Sequence, residues 1–147
     1  YGMAEVKETA TGWMTSPIGK WLFKKGVPLS KSKSNAEGCY YDKSLVTEKG
    51  YKSSYLMNNK RGTFQWMLKL ATSEILPDTL LVQEIEVPTL IVWGENDEVI
   101  PVAHAKKFER DILNNQLIVY EKCGHTPQLE IPEKLASDWL NFVNKNN

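Results

Sequence analysis

The stretch from Val87 to Pro101 constrains the fold more than any other part of the chain. Residues 89–93 are uninterrupted apolar or β-branched, which is typical of a strand buried on both faces in a parallel sheet. Gly94 ends this run and Asp97 follows it. Ligands of open α/β sheets bind beyond the carboxyl ends of the strands, so this carboxylate is a candidate for chemistry. Taken alone, an aspartate in such a turn more often caps a helix or stabilises the turn itself.

A histidine follows a second short strand in the same way. Residues 117–120 form another apolar run, and the loop after it carries His125 between a glycine and a proline. Between the two runs, apolar residues at helical spacing predict a helix that starts near Pro101. Strand, helix and strand make a βαβ unit with parallel strands, so both loops leave the same edge of the sheet. We therefore expect Asp97 and His125 to meet.

These motifs carry a resemblance to a known family. Residues 85–144 resemble the C-terminal end of an α/β-hydrolase, through Val-Pro-Thr-Leu-Ile-Val-Trp-Gly-Glu-Asn-Asp-Glu-Val-Ile-Pro and the later Cys-Gly-His-Thr-Pro-Gln-Leu-Glu-Ile-Pro-Glu. In that family the catalytic triad runs Ser, then Asp or Glu, then His, with the last two members after the last two core strands. The resemblance implies that Asp97 is the acid and His125 the base of such a triad.

The nucleophile of that triad is missing from the sequence. The 147 residues contain no Gly-x-Ser-x-Gly, and none of the nine serines has the flanking glycines that a nucleophile elbow needs. The glycine-rich oxyanion segment of the family is missing too. Two parallel strands are also too few to make an independent sheet. We interpret the chain as the C-terminal half of a serine hydrolase, inactive by itself, whose N-terminal half is the partner that carries the serine.

The resemblance implies a partial α/β-hydrolase fold with two regions. Residues 1–80 are expected to form a helical cap or lid, and residues 81–147 the C-terminal βαβα of the core. Within the first region Ser16 and Thr47 are predicted helix starts, and a helix is predicted over 63–76. The terminal helix is predicted to begin near Pro132. Its expected buried side consists of Leu135, Trp139, Leu140, Phe142 and Val143.

The resemblance implies a reaction class more clearly than a substrate. Carboxylic ester hydrolysis, as by an esterase or lipase, is the commonest implied activity, with a small apolar ester-like substrate. Related enzymes cleave carbon–carbon bonds, epoxides or carbon–halogen bonds, the last two with an Asp nucleophile. A non-catalytic hydrolase-like binding domain is an alternative of another class, because fold does not fix function. No cofactor and no metal are expected.

Composition and charge exclude few classes of function. The 41% hydrophobic content is that of a soluble globular protein, and no run approaches the roughly 20 apolar residues that span a bilayer. The net charge is zero, yet residues 1–61 carry 11 basic and 5 acidic residues, against 7 and 13 in residues 62–147. A basic half is compatible with lipid head groups or nucleic acid. Its lysines are scattered through polar sequence, which favours a solvated surface, and no nucleic-acid module is present.

Four further residues have expected roles outside catalysis. Cys39 and Cys123 lack the spacing of a metal or redox site and are interpreted as free thiols, which favours a cytoplasmic location. A disulfide between them stays an alternative. His104 is expected to be exposed at a helix start and to take no part in catalysis. Glu130 either accepts a hydrogen bond nearby or is an exposed loop acid, and the second is favoured.

Overall fold

The computed structural model describes residues 16–24, 26–72 and 82–146 of the chain. They pack as two compact units. The helical unit comprises the described residues of 16–36 and 46–72, and the sheet unit comprises residues 37–45 and 82–146. Residues 37–45 therefore pack with the sheet unit, although they fall within the region 1–80 whose role as a cap stays a prediction.

Short helices occupy the first half of the described chain and begin where the sequence provides caps. Ser16 Oγ accepts a hydrogen bond from the Gly19 amide (3.0 Å), and Thr47 Oγ1 accepts one from the Gly50 amide (3.1 Å). Both predicted helix starts are confirmed, because these oxygens satisfy amides that have no partner within the first helical turn. The predicted residues 73–76 lie outside the described part. The helices are α1 (Pro17–Lys24), α2 (Leu29–Glu37), α3 (Glu48–Asn58) and α4 (Thr63–Thr72).

The sheet unit is built on the predicted βαβ arrangement. Its elements in chain order are β1 (Thr89–Gly94), α5 (Ala103–Asp111), β2 (Asn115–Tyr120), α6 (Pro127–Glu130) and α7 (Pro132–Asn146). The strands are parallel, with Thr89 opposite Asn115 and Gly94 opposite Tyr120, so they end side by side. In the described part of the chain no helix, not even the 15-residue α7, has the length and apolarity needed to cross a bilayer.

Burial in the sheet unit is less complete than the sequence predicts. Within β1 only Ile91 and Gly94 are buried, and on α7 the residues Trp139 and Leu140 are 55% and 52% exposed. The predictions of a strand covered on both faces and of a buried side of α7 are therefore wrong for the described residues. A two-stranded sheet has too little surface to cover both elements. An open apolar groove of about 590 Å³ results, lined by Leu90, Val92, Leu135, Trp139 and Phe142 among others.

Candidate active site

The two loops that follow β1 and β2 are hydrogen-bonded to each other. The Glu95 amide donates to the Tyr120 carbonyl (2.9 Å), and the Asn96 amide donates to the Cys123 carbonyl (2.9 Å). These bonds continue the pairing of the strands past their ends. The acid loop, residues 95–100, and the histidine loop, residues 121–126, are therefore held side by side at one edge of the sheet.

Two glycines allow this close approach. A Cβ on Gly94 would lie 2.0 Å from the Gly124 carbonyl oxygen and 2.4 Å from that of Cys123. A Cβ on Gly124 would lie 2.8 Å from the Cys39 carbonyl oxygen and 2.8 Å from the Tyr41 nitrogen. Real Cβ atoms do not approach backbone atoms so closely, so any side chain here would force the backbones apart. The absence of a Cβ at both positions lets the acid loop, the histidine loop and residues 39–41 pack in contact.

The carboxylate of Asp97 is fixed by its own turn. Its Oδ1 accepts hydrogen bonds from the amides of Val99 and Ile100, both at 2.8 Å. Its side chain is only 4% exposed. The turn-stabilising role that the local sequence suggested is therefore real, and it uses one of the two carboxylate oxygens. The second oxygen stays available for another donor.

That donor is His125, as the βαβ topology predicts. Asp97 Oδ2 lies 2.9 Å from His125 Nδ1. A carboxylate offers acceptors only, so Nδ1 carries the proton and Nε2 carries the lone pair. The histidine side chain is 35% exposed, which leaves the outer part of the ring open to a reactant. The pair thus combines a buried acid with a histidine oriented to accept a proton at Nε2.

The backbone of the histidine is also held by residues 37–45. The His125 amide donates to the Cys39 carbonyl at 2.8 Å, and Thr126 Oγ1 donates to the same oxygen at 3.4 Å. This segment lies nearly 90 residues earlier in the chain, and sequence reasoning did not connect it to the site. Gly124 is the sequence signal, because a glycine directly before the histidine permits a second backbone to pass close by.

The surroundings of the pair are largely apolar. A small cleft of about 130 Å³ is bounded by Asp97 and His125 together with Val92, Trp93, Gly94, Ile100 and Pro127. Trp93 Nε1 donates to the Ile100 carbonyl at 3.0 Å, and its ring packs against Phe108 at 6.2 Å between centroids. The indole therefore ties β1 to the end of the acid loop. An apolar wall of this kind strengthens the hydrogen bond between acid and base.

Neither thiol beside the pair is suited to act as a nucleophile. Cys123 is fully buried, and burial, followed by the negative charge of Glu130, raises its pKa to about 11. Burial and the charge of Asp97 also raise the pKa of the Cys39 thiol. The thiolate is the reactive form, so both shifts favour the unreactive thiol. Both cysteines are thiols rather than halves of a disulfide, which confirms the prediction and excludes the disulfide alternative.

Two expectations about neighbouring residues are corrected. His104 is buried, at 7% exposure, rather than exposed at the start of α5. The helix begins at Ala103 and turns the ring inward, because the chain first makes a tight turn in which the His104 amide bonds to the Pro101 carbonyl (2.9 Å). Glu130 is half-buried rather than exposed, and it accepts a hydrogen bond from the Gly124 amide at 2.7 Å.

Comparisons with known proteins agree with the fold described above. The family model described as "alpha/beta hydrolase fold" matches residues 17–132. The 2-hydroxy-6-oxo-6-(2'-aminophenyl)hexa-2,4-dienoic acid hydrolase of Metapseudomonas resinovorans is 28% identical over 123 residues, which cover 74% of this chain and 42% of that protein. Monoacylglycerol lipase ABHD6 of Bos taurus is 37% identical over 62 residues, which cover 42% of this chain and 18% of that protein.

Solved structures show the same architecture. The meta-cleavage product hydrolase CumD from Pseudomonas fluorescens IP01 matches with a TM-score of 0.63 and 23% identity, over 82% of this chain and 47% of that chain. A putative lipase from Acinetobacter baumannii AYE matches with a TM-score of 0.64 and 22% identity, over 89% and 48%. At these identities the likeness shows the fold alone. The chain spans less than half the length of each of these proteins. Because the family model covers most of its residues, the chain belongs to the α/β-hydrolase fold family.

Proposed function

We propose that this chain supplies the acid and the base of a Ser-Asp-His triad in a hydrolase of carboxylic esters. Asp97 is the acid and His125 the base. The observation that carries the proposal is the 2.9 Å contact between Asp97 Oδ2 and His125 Nδ1, with the other oxygen of the acid held by two backbone amides. The relatives of the chain are hydrolases, among them a lipase, which supports the reaction class.

The proposed mechanism uses the lone pair on His125 Nε2. A serine hydroxyl from a segment outside this chain attacks the ester carbonyl while Nε2 takes its proton. Asp97 stabilises the imidazolium that forms, because its second oxygen already faces Nδ1. The imidazolium then gives the proton to the departing alkoxide, which leaves an acyl-serine. A water molecule, deprotonated in turn by Nε2, attacks the acyl carbonyl. The bond to the serine oxygen then breaks, the imidazolium returns the proton to that oxygen, and the carboxylic acid leaves.

The segment that carries the serine is proposed to complete the sheet. Within the described residues β1 pairs with β2 along one edge only, so its other edge can accept a further parallel strand. The apolar groove between β1 and α7 would be covered by the same segment. A further segment is also consistent with the lengths, because this chain spans less than half of the length of its relatives. This chain alone is expected to be inactive.

The proposed substrate is a small ester with an apolar acyl group. Support comes from the apolar side chains that flank the pair in the small cleft, Val92, Trp93, Ile100 and Pro127. Two relatives are named as a monoacylglycerol lipase and as Lipase 3 of Moraxella sp. (strain TA144), the second with 24% identity over 97% of this chain. Apolar walls of this kind favour an acyl chain over a charged substrate.

A carbon–carbon bond hydrolase is the second candidate. The relative from Metapseudomonas resinovorans, named as a dienoic acid hydrolase, matches 74% of this chain, whereas the lipase ABHD6 matches 42%. This match is longer than that of ABHD6, and its 28% identity is higher than the 24% of Lipase 3, which supports this alternative. It would use Asp97 and His125 in the same two roles, so the substrate alone separates the candidates. A non-catalytic binding domain is the third, and it predicts no turnover.

The first experiment asks whether the assembled hydrolase, this chain together with its serine-bearing segment, has an activated serine. A fluorophosphonate probe should label it, and mass spectrometry should place the label on a serine outside residues 1–147. The variant His125→Gln should abolish labelling, whereas His104→Gln, which changes the other histidine of the chain, should label normally. Label on a residue of this chain, or equal labelling of both variants, would overturn the proposal.

The second experiment separates the candidate reactions. Initial rates are measured on p-nitrophenyl esters of increasing acyl length and on a 2-hydroxy-6-oxo-dienoate. Ester hydrolysis with a kcat/KM that rises with acyl length supports the first candidate. Turnover of the dienoate with a kcat/KM at least about a hundredfold higher, roughly 2.7 kcal/mol in transition-state binding, supports the second. No turnover of either class, together with no probe labelling, supports a binding domain.

A further inference from the structure

The carboxylate of Glu130 joins two segments that are far apart in sequence. Its Oε1 accepts hydrogen bonds from the Gly124 amide (2.7 Å) and the Cys123 thiol (3.8 Å), both in the histidine loop. Its Oε2 accepts from the amides of Tyr41 (2.7 Å) and Asp42 (3.4 Å). One carboxylate therefore holds the histidine loop on one oxygen and residues 37–45 on the other.

The backbone of Glu130 is placed for this contact by the short helix α6. Its amide donates to the Thr126 carbonyl at 3.0 Å, so Glu130 lies one helical turn after the end of the histidine loop. The carboxylate thereby reaches the amide of the residue just before His125. Hydrogen bonds from backbone amides to an ionised carboxylate are stronger and shorter than those between neutral groups.

The same two segments are also joined directly. The Cys39 carbonyl accepts from the His125 amide at 2.8 Å and from Thr126 Oγ1 at 3.4 Å. The histidine backbone is thus fixed at the residue itself and, through Glu130, at the residue before it. Two consecutive anchored amides restrict the backbone at His125 and therefore the direction in which its Cα–Cβ bond leaves the chain.

We propose that Glu130 is a positioning residue for His125, whose carboxylate fixes the histidine loop to residues 37–45 and keeps the imidazole in reach of Asp97. The inference rests on the proposed function. Glu130 does not touch the reacting atoms. It acts through the orientation of the ring, so its removal should lower kcat and leave substrate affinity nearly unchanged.

The test uses two replacements in the assembled hydrolase. In Glu130→Gln one oxygen still accepts, but the amide nitrogen faces backbone N–H donors, so one segment is released. In Glu130→Asp the charge stays, but the shorter side chain cannot reach both segments. A displacement of about 1 Å at a catalytic group can cost a hundredfold in rate, so we expect kcat to fall about 10- to 100-fold for both, with KM within about twofold. Glu133→Gln, an exposed glutamate at the start of α7, is the matched control with unchanged kinetics.

A spectroscopic measurement separates positioning from general loss of structure. The Nδ1 proton of His125, bonded to Asp97, should give a downfield proton NMR signal in the wild type. The signal should shift or broaden in Glu130→Gln and Glu130→Asp at temperatures where circular dichroism shows intact folds. An unchanged signal in both variants, or wild-type kcat in both, would overturn the inference.

The outcomes also distinguish this inference from the proposed function. Wild-type protein without esterase activity or probe labelling would refute the proposed function, and the His125 signal in the Glu130 variants would still decide the positioning role. Wild-type activity with unaffected Glu130 variants would refute the positioning role and leave the triad in place.

Discussion

Replacing Asp97 with asparagine separates the two contacts that this side chain makes. The asparagine Oδ1 can still accept from the amides of Val99 and Ile100, so the turn keeps its hydrogen bonds. The group that faces His125 becomes an NH2, which donates where the carboxylate accepted. Nδ1 must then act as the acceptor, so the ring proton moves to Nε2. A histidine protonated at Nε2 cannot take a proton from the serine.

The expected size of the effect follows from this change of tautomer. The equivalent replacement in a serine protease lowers kcat about 10⁴-fold with the geometry intact, which is about 5 kcal/mol in activation free energy. We expect a similar loss of kcat for Asp97→Asn. The change in the free energy of unfolding should stay below about 1 kcal/mol, because the hydrogen bonds of the turn survive.

Asp97→Ala should behave differently, because it also removes the acceptor for the turn. The Ile100 amide is partly buried and loses its partner, whereas the Val99 amide lies at an exposed position that water can reach. We expect a loss of about 1–3 kcal/mol in unfolding free energy, mainly from the first of these. Asp97→Ala should therefore lose both activity and stability, whereas Asp97→Asn should lose activity only.

The assay compares kcat on a soluble p-nitrophenyl ester with the thermal midpoint from circular dichroism, in the assembled hydrolase. The matched control is Asp111→Asn, because the side chains of Asp111 and Asp97 are both 4% exposed and Asp111 is paired with Arg110 rather than with a histidine. Its kcat should stay within about threefold of wild type. A folded Asp97→Asn enzyme whose kcat lies within tenfold of wild type would refute the role of this acid.

Three other predictions concern packing and ionisation. Gly94→Ala places a Cβ 2.0 Å from a backbone oxygen of the facing loop and should lower the thermal midpoint and abolish activity, whereas Gly50→Ala, inside α3, should preserve both. Cys123, with its pKa raised to about 11 by burial, should resist iodoacetamide at pH 8 in the native protein and react in urea; equal rates would contradict its burial. Burial and the hydrogen bond to Asp138 raise the pKa of Tyr120 to about 12, so this phenol stays protonated in the native state above the unfolded pKa of about 10. Its stabilising contribution should be complete below pH 10 and lost as the pH rises to 12, and Tyr120→Phe should show a shallower loss in unfolding experiments over that range.

The contact between Asp97 and His125 was predictable because it follows from topology. A strand, a helix and a parallel strand bring two loops to one edge whatever the details of packing. The sequence could not show that Asp97 would bind its own turn and the histidine at once. The two roles of that residue are compatible because a carboxylate has two oxygens, one for the turn and one for the histidine.

The exposure predicted for Glu130 and for His104 is wrong for a common reason. Both lie at short turns before or within small helices, where one residue of shift changes a side chain from exposed to buried. The contact of Glu130 with Tyr41 also joins positions 89 residues apart, which no local pattern reveals. Gly124, directly before His125, is the sequence feature that indicates the close passage of another backbone.

The apolar side of α7 shows that a correct helical pattern does not by itself predict burial. Leu135, Trp139 and Phe142 have the spacing of a buried face, and they do face β1 across the apolar groove. Periodicity reports which residues share a face and carries no information on what covers it. The exposure of Trp139 is therefore consistent with the proposal that a further segment packs there.

The geometry of the acid–base pair also explains why the reaction class is easier to assign than the substrate. The contacts that fix Asp97 and His125 are turn amides, close approaches at two glycines and a carbonyl of residues 37–45, and all of them lie within the sheet unit. None requires a particular acyl or leaving group. A segment that brings one hydroxyl to Nε2 would therefore complete either an ester hydrolase or a carbon–carbon bond hydrolase on the same pair. Substrate choice must then depend on the residues that surround the serine and the acyl chain, which is why exchanging that segment between relatives should change the substrate and leave the requirement for Asp97 unchanged.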